Sequence, residues 1–236
     1  MFLYDFHSHI LPGADHGSNG IETTEKQFDI IEKSGVNAIV ATPHFYPHAH
    51  SVDSFLIKRN SAISSACALL DNKDVELYVG AEVLLCEGIE RMEELSCLCI
   101  EGTEYMLTEM PFGEWSDNLI ETLSKISRMG ITPVIAHIDR YPIEFIQRLM
   151  QMPDLKFQII ADIFRSLCCR RFYKDLIEKG NISAIGSDLH GVRGYDSFLK
   201  AIKYIGEANT EKVMCQTAEI LKNAKNYNIK EQTDEE

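Results

Sequence analysis

Short apolar runs rich in β-branched and aromatic residues alternate along the chain with longer stretches of helical period. Leu3–Phe6 opens the series. Val36–Thr42, Val75–Val83, Tyr105–Met110, Thr132–Ile138, Lys156–Ala161 and Ile182–Ser187 follow as strand candidates. Between them, residues 22–34, 53–70, 116–129, 142–150 and 165–179 carry helical spacing, with Gly35, Gly130 and Gly180 as stops. A short helical piece precedes Tyr105, and residues 195–205 and 211–224 read as terminal helices. Apolar strands without polar alternation, separated by helices, predict a parallel sheet covered on both faces. An α/β barrel and a doubly wound sheet satisfy this pattern equally.

Composition narrows the class. With 236 residues, 45% hydrophobic and 25% charged, the chain is long enough to bury a sizeable core. One large domain is expected, with two small ones as the alternative. The net charge of −13 argues against nucleic-acid binding and against an anionic membrane surface. The seven cysteines form no CxxC pair, so a zinc ribbon or a thioredoxin-type site has no support. No stretch approaches 18 apolar residues, and the N-terminus lacks a basic leader. A reduced, cytoplasmic protein without stable membrane insertion is the expectation. Residues 1–228 read as one domain and residues 229–236 as a polar tail.

The histidines change the picture. All eight fall at, or just after, the C-terminal end of a predicted strand, where α/β folds bind ligands. His7 and His9 alternate with Asp5 at period two, so an extended chain places them on one face, with Asp5 as a candidate partner behind the imidazoles. His44 emerges from the second strand, and His137 closes the segment IAHI. Asp188 and His190 repeat the alternating geometry after the last strand. Glu82 and Glu109 are carboxylates inside apolar runs and need a cation to offset burial. His48 and His50 read as loop residues.

With His16, the candidate ligands are His7, His9, His16, His44, Glu82, Glu109, His137, Asp188 and His190. Nine donors suit two or three ions rather than one. Mixed imidazole and carboxylate donors favour Mn, Fe or Zn over calcium, and clusters of this size serve hydrolysis. Arg140 and Arg193 each follow a histidine by three residues, so both are placed at the rim as phosphate binders. No cysteine has an arginine six positions on, which excludes a Cys-x5-Arg phosphocysteine route.

The segments DFHSHILPG, VATPH, GAEV, YMLTEM, PVIAHIDRYP and IGSDLHG resemble, in order and spacing, the polymerase-and-histidinol-phosphatase superfamily. The resemblance runs from about residue 3 to about residue 225 and is strongest to bacterial protein tyrosine phosphatases encoded with capsular and exopolysaccharide genes. It implies a distorted seven-stranded (β/α) barrel with a trinuclear metal cluster at the strand C-termini, manganese being the foremost metal. It implies hydrolysis of phosphotyrosine on the tail of a bacterial tyrosine kinase, with Arg140 and Arg193 binding phosphate. Carried over by position, the ligands are His7, His9, His44, Glu82, Glu109, His137, Asp188 and His190.

This sequence departs from the pattern where Asp15-His16-Gly17 stands in place of Asp-Asp-Gly, so that His16 replaces a ligand aspartate by spacing. It departs again at the sixth strand, where Asp162 follows Ala161 in place of an Asn-containing segment. A small-molecule phosphatase acting on a compound such as histidinol phosphate is the alternative enzyme. A binding module with a structural metal is the alternative outside catalysis. Oligomeric state is left open.

Overall fold

The computed structural model describes residues 1–71 and 73–228; the predicted polar tail, 229–236, lies outside the described residues. The strands are β1 (Tyr4–Ser8), β2 (Ala38–Ala41), β3 (His44–Phe45), β4 (Glu76–Val79), β5 (Glu82–Leu84), β6 (Tyr105–Glu109), β7 (Thr132–Ile135), β8 (Lys156–Ile160) and β9 (Ala184–Gly186). The helices are α1 (Ile21–Ser34), α2 (Val52–Cys67), α3 (Asp117–Arg128), α4 (Ile143–Leu149), α5 (Arg170–Glu178), α6 (Asp196–Ile205) and α7 (Glu207–Leu221).

Every strand pairing is parallel, in the orders β1-β2-β4 and β3-β5-β6-β7-β8-β9. Only Thr42 and Pro43 separate β2 from β3, and only Gly80 and Ala81 separate β4 from β5. Two predicted features therefore change. The single run 75–83 is broken in two, and β3 is a strand that the sequence pattern does not announce. Pro43 has no N–H to donate to a ladder, which is a local reason for the first break. At the sheet's other margin the Leu189 carbonyl accepts from His9 N–H at 3.0 Å, and His7 carbonyl accepts from Asp188 N–H at 2.8 Å. The sheet is thus curled, and its first strand meets the segment after its last.

Burial on both faces explains the apolar strands. Phe6, Val40, Leu107, Val134 and Ala184 belong to one cluster. Their chain neighbours Ile39, Met106, Ile135 and Ile185 belong to the other, packed against helices. The α3 helix shows how the covering layer forms. Ser116 caps it by accepting from Leu119 N–H, and Leu119, Leu123 and Ile126 bury one stripe. The α1 helix buries Phe28 and Ile31 and ends at Gly35, whose φ of 77° is the left-handed conformation that glycine adopts without strain. The predicted helix 165–179 is shorter than its pattern, because residues 161–165 form a tight 3-10 turn and α5 begins at Arg170. Among the described residues, no helix is long and apolar enough to cross a membrane.

Candidate metal centre

The polar side chains converge where the strands end or are interrupted. His7 belongs to β1 and His9 follows it; His44 opens β3, Glu82 opens β5 and Glu109 closes β6. His137, Asp188 and His190 lie just beyond β7 and β9. Glu82 is the hub, with only 1% of its surface exposed. Its Oε2 lies 3.1 Å from His7 Nε2, 3.2 Å from His9 Nε2 and 2.9 Å from His44 Nδ1, while its Oε1 lies 2.8 Å from His137 Nε2. Asp188 Oδ1 approaches His9 Nε2 at 3.2 Å and His190 Nδ1 at 3.4 Å. Glu109 reaches His137 at 3.5 Å.

Close spacing is not the same as hydrogen bonding. Glu82 Oε2 and His44 Nδ1 are both buried and have no partner of acceptable hydrogen-bond geometry. His7 Nε2 and His9 Nε2 face each other at 3.1 Å. A buried carboxylate oxygen and a buried imidazole nitrogen left without partners call for positive charge among them. Three groups bring ligand atoms within 4.8 Å of one another: His9, His44 and His190; His7, His9 and Asp188; and His44, Glu82 and Glu109. These donor sets fit divalent transition-metal ions.

Electrostatics carry the same message. Burial opposes charge on His9, yet Asp15, Asp188 and Glu82 outweigh it and hold the imidazole well above its ordinary pKa. Burial likewise opposes charge on Glu82, but His7, His137 and His44 hold it well below the carboxylate range. Burial and the neighbouring Glu82 raise the Glu109 carboxyl. Tyr46, half-buried with its ring 5.2 Å from His44, has a phenol pushed up to about 12 by burial and by Glu109, Glu82 and Asp15.

A second layer fixes the imidazoles. Asp15 Oδ2 lies 2.6 Å from His9 Nδ1, so an N–H there leaves the Nε2 lone pair facing the cluster. Gln158, fully buried on β8, does the same for His7, its Oε1 lying 3.4 Å from Nδ1. That oxygen also accepts from His137 N–H at 2.6 Å. His137 and Asp188 have φ of 31° and 51°, left-handed values that are costly for residues other than glycine and that concentrate at functional sites. Two glycines permit the crowding. A Cβ on Gly17 would meet His9 Cβ at 2.0 Å, and one on Gly186 would meet His7 Cβ at 2.5 Å.

Several placements differ from the sequence expectation. Asp5 does not stand behind the imidazole rings. It accepts from Ser187 N–H and from the Ser187 and Tyr195 hydroxyls. The β1–β2 register shifts between Asp5 and Ser8. His16 is exposed and falls in none of the three donor groups, although its ring stacks 5.0 Å from His44 and lies tilted 4.7 Å from His190. His48 and His50 are exposed. Arg140 is 41% exposed and donates to Asp188. Arg193 lines a cavity of about 320 Å³ that also includes Asp188 and Asp162. Pattern reading missed Gln158, because a buried amide within a strand carries no motif; Asp15 was visible only as a neighbour of His16.

A curled parallel α/β sheet with imidazoles and carboxylates gathered at its strand C-termini defines a metal-binding class of α/β protein. Within that class the particular family is clear. Residues 3–227 match the family described as "Capsular polysaccharide synthesis, CpsB/CapC", and the chain belongs to it. It is 26% identical over 246 residues to the tyrosine-protein phosphatase CpsB of Streptococcus agalactiae serotype V, covering 94% of this chain and 99% of that protein. It is 23% identical to the tyrosine-protein phosphatase YwqE of Bacillus subtilis, covering 87% and 84%. The fold matches a solved structure with a TM-score of 0.75 at 20% identity, covering 94% of this chain and 96% of the other. That work describes YwqE from Bacillus subtilis and CpsB from Streptococcus pneumoniae as unique metal-dependent tyrosine phosphatases.

Proposed function

We propose that this protein is a metal-dependent tyrosine-protein phosphatase of capsular or exopolysaccharide synthesis, acting in the cytoplasm on the phosphotyrosine tail of a bacterial tyrosine kinase. The observation that carries the reading is Glu82, a buried carboxylate whose one oxygen faces three imidazole nitrogens within 3.2 Å. Family membership and the names of the relatives support the substrate class. In this reading His7, His9, His44, Glu82, Glu109, His137, Asp188 and His190 hold two or three ions, manganese foremost, with iron or zinc as alternatives. His16, at the exposed edge, is the ninth proposed ligand.

Bound there, divalent cations supply Lewis acidity that activates water near neutral pH and neutralises phosphoryl charge. The chain's own residues do the rest. Asp15 and Gln158 hold His9 and His7 in the tautomers that turn Nε2 inward. Arg140, beside Asp188 at the mouth, and Arg193, on the loop after β9, offer N–H forks to the phosphoryl oxygens and stabilise charge as the bond to the leaving group breaks. A phenol leaves with a pKa near 10, so it needs less help from an acid than an alkyl alcohol.

The same reading counts β2 with β3, and β4 with β5, as single interrupted strands. The sheet then has seven members and is a distorted (β/α) barrel within one domain, 1–228, followed by the polar tail 229–236. The test is direct. Chelator should abolish p-nitrophenyl phosphate hydrolysis and Mn²⁺ should restore it, with phosphotyrosine peptide preferred over histidinol phosphate. Activity that persists in chelator sinks the metal mechanism; preference for histidinol phosphate sinks the substrate.

A further inference from the structure

One aromatic side chain stands beside the metal centre without being one of its donors. Tyr46 directly follows β3 and is half-buried. Its ring lies nearly parallel to that of His44, at 5.2 Å and 18°, and His44 Nδ1 is 2.9 Å from Glu82 Oε2. The backbone around it is held on both sides. Phe45, fully buried, packs edge-on against Phe55 at 5.3 Å, and the Tyr46 carbonyl accepts from the N–H groups of Ala49 and His50 at 2.9 and 3.1 Å. Arg140 follows β7, three strands along the sheet from β3, so its guanidinium and the Tyr46 ring reach the mouth from different sides.

We propose that the Tyr46 ring is the wall against which the phenol ring of a phosphotyrosine lies, and that it selects aryl over alkyl phosphomonoesters. The inference rests on the phosphatase reading and adds to it a residue that recognises the ring rather than the phosphate. A single ester oxygen joins phosphorus to the phenol ring. Phosphate held beside His44 and Glu82 therefore keeps that ring close to the side chain stacked on His44. The ring carries no charge, so the carboxylates of Glu109, Glu82 and Asp15, which act on the Tyr46 phenol, do not repel it. Offset or edge-on aromatic pairs contribute beyond the apolar area they bury. Because the Tyr46 backbone is already held on both sides, little ordering of the wall opposes binding. An alkyl ester has no π-face to offer and gains none of this.

The experiment titrates benzylphosphonate and ethylphosphonate calorimetrically into the full chain loaded with Mn²⁺. Both probes carry the phosphonate on a CH₂ group, and they differ in a ring against a methyl. Wild type should bind benzylphosphonate about tenfold more tightly. Tyr46→Ala should abolish that preference, Tyr46→Leu, which keeps apolar bulk without a ring, should lose most of it, and Tyr46→Phe should keep it within about twofold. Ethylphosphonate should bind all four proteins within about twofold, which shows that the variants are folded. In hydrolysis, Tyr46→Ala should raise KM for p-nitrophenyl phosphate about tenfold with kcat within about threefold, the pattern of binding lost equally from ground and transition states. Equal binding of the two probes by wild type, or an equal loss of both in Tyr46→Ala and Tyr46→Leu, overturns the proposal. A loss in Tyr46→Phe as large as in Tyr46→Ala assigns the effect to the hydroxyl and overturns it as well. Probes that bind as expected to a protein that hydrolyses no phosphate ester support the wall and refute the phosphatase reading instead.

Discussion

Replacing Gln158 with leucine tests the layer behind the candidate ligands without replacing one. The wild-type side chain is fully buried. Its Oε1 accepts from His137 N–H at 2.6 Å and faces His7 Nδ1 at 3.4 Å, and its Nε2 donates to the Ile159 carbonyl at 2.6 Å. Leucine fills nearly the same volume, so the change removes polarity more than packing. Each buried group left without a partner costs about 1–3 kcal/mol, so orphaning His137 N–H and the Ile159 carbonyl sums to roughly 2–6 kcal/mol. Domain stabilities of about 5–15 kcal/mol leave a weakened but folded protein. Loss of a group that orients a ligand also lowers metal affinity about 10–100-fold. Urea unfolding in chelator reads the first effect as a lower midpoint at unchanged slope; calorimetric Mn²⁺ titration reads the second. A Gln158→Leu protein that unfolds at the wild-type midpoint and binds Mn²⁺ as tightly would refute the reasoning.

Other substitutions probe separate features. Arg140→Ala should lower kcat/KM for p-nitrophenyl phosphate by about 10²–10³, with thermal stability nearly unchanged because the side chain is partly exposed; a loss below threefold would remove it from the mechanism. Arg59 is buried and binds Glu101 at 2.8 Å and the Gly80 carbonyl at 3.2 Å. Arg59→Met should therefore cost about 3–5 kcal/mol in urea unfolding, and a cost under 1 kcal/mol would contradict the pairing. The Cys99 thiol is 3% exposed and pushed up to about 12 by burial, whereas Cys97, Cys168 and Cys215 are exposed. At pH 8 a thiol reagent should label those three and spare Cys99, because the thiolate is the reactive form. Labelling should leave hydrolysis intact, and inactivation on labelling would contradict the metal mechanism.

Much of the site was legible because its chemistry forces unusual residues into apolar runs. Glu82 and Glu109 stood out as acids where burial punishes charge; Glu109 closes its strand, whereas Glu82 opens one, just past the break at Gly80 and Ala81. The strand-to-helix alternation was equally plain, since helices leave amphipathic stripes such as Leu119, Leu123 and Ile126. What escaped was anything set by three-dimensional approach. The division of run 75–83 at Gly80 and Ala81 has no periodic signature. Asp5 shared the spacing of His7 and His9 but accepts from Ser187 and Tyr195 rather than from an imidazole ring. Gln158 joins His7 and His137 across 151 and 21 positions, and no local pattern encodes such a contact.

The left-handed backbone at His137 and Asp188 has an evolutionary consequence. Each residue occupies a conformation that glycine accepts more readily, and each adds a candidate ligand group to a crowded pocket. Substitutions that relax either position would remove a donor while relieving the backbone. Drift in a lineage released from selection should therefore run towards descendants that have lost these donors. The persistence of both side chains on this strained backbone then has to be maintained by selection for what they hold, not for the fold that carries them.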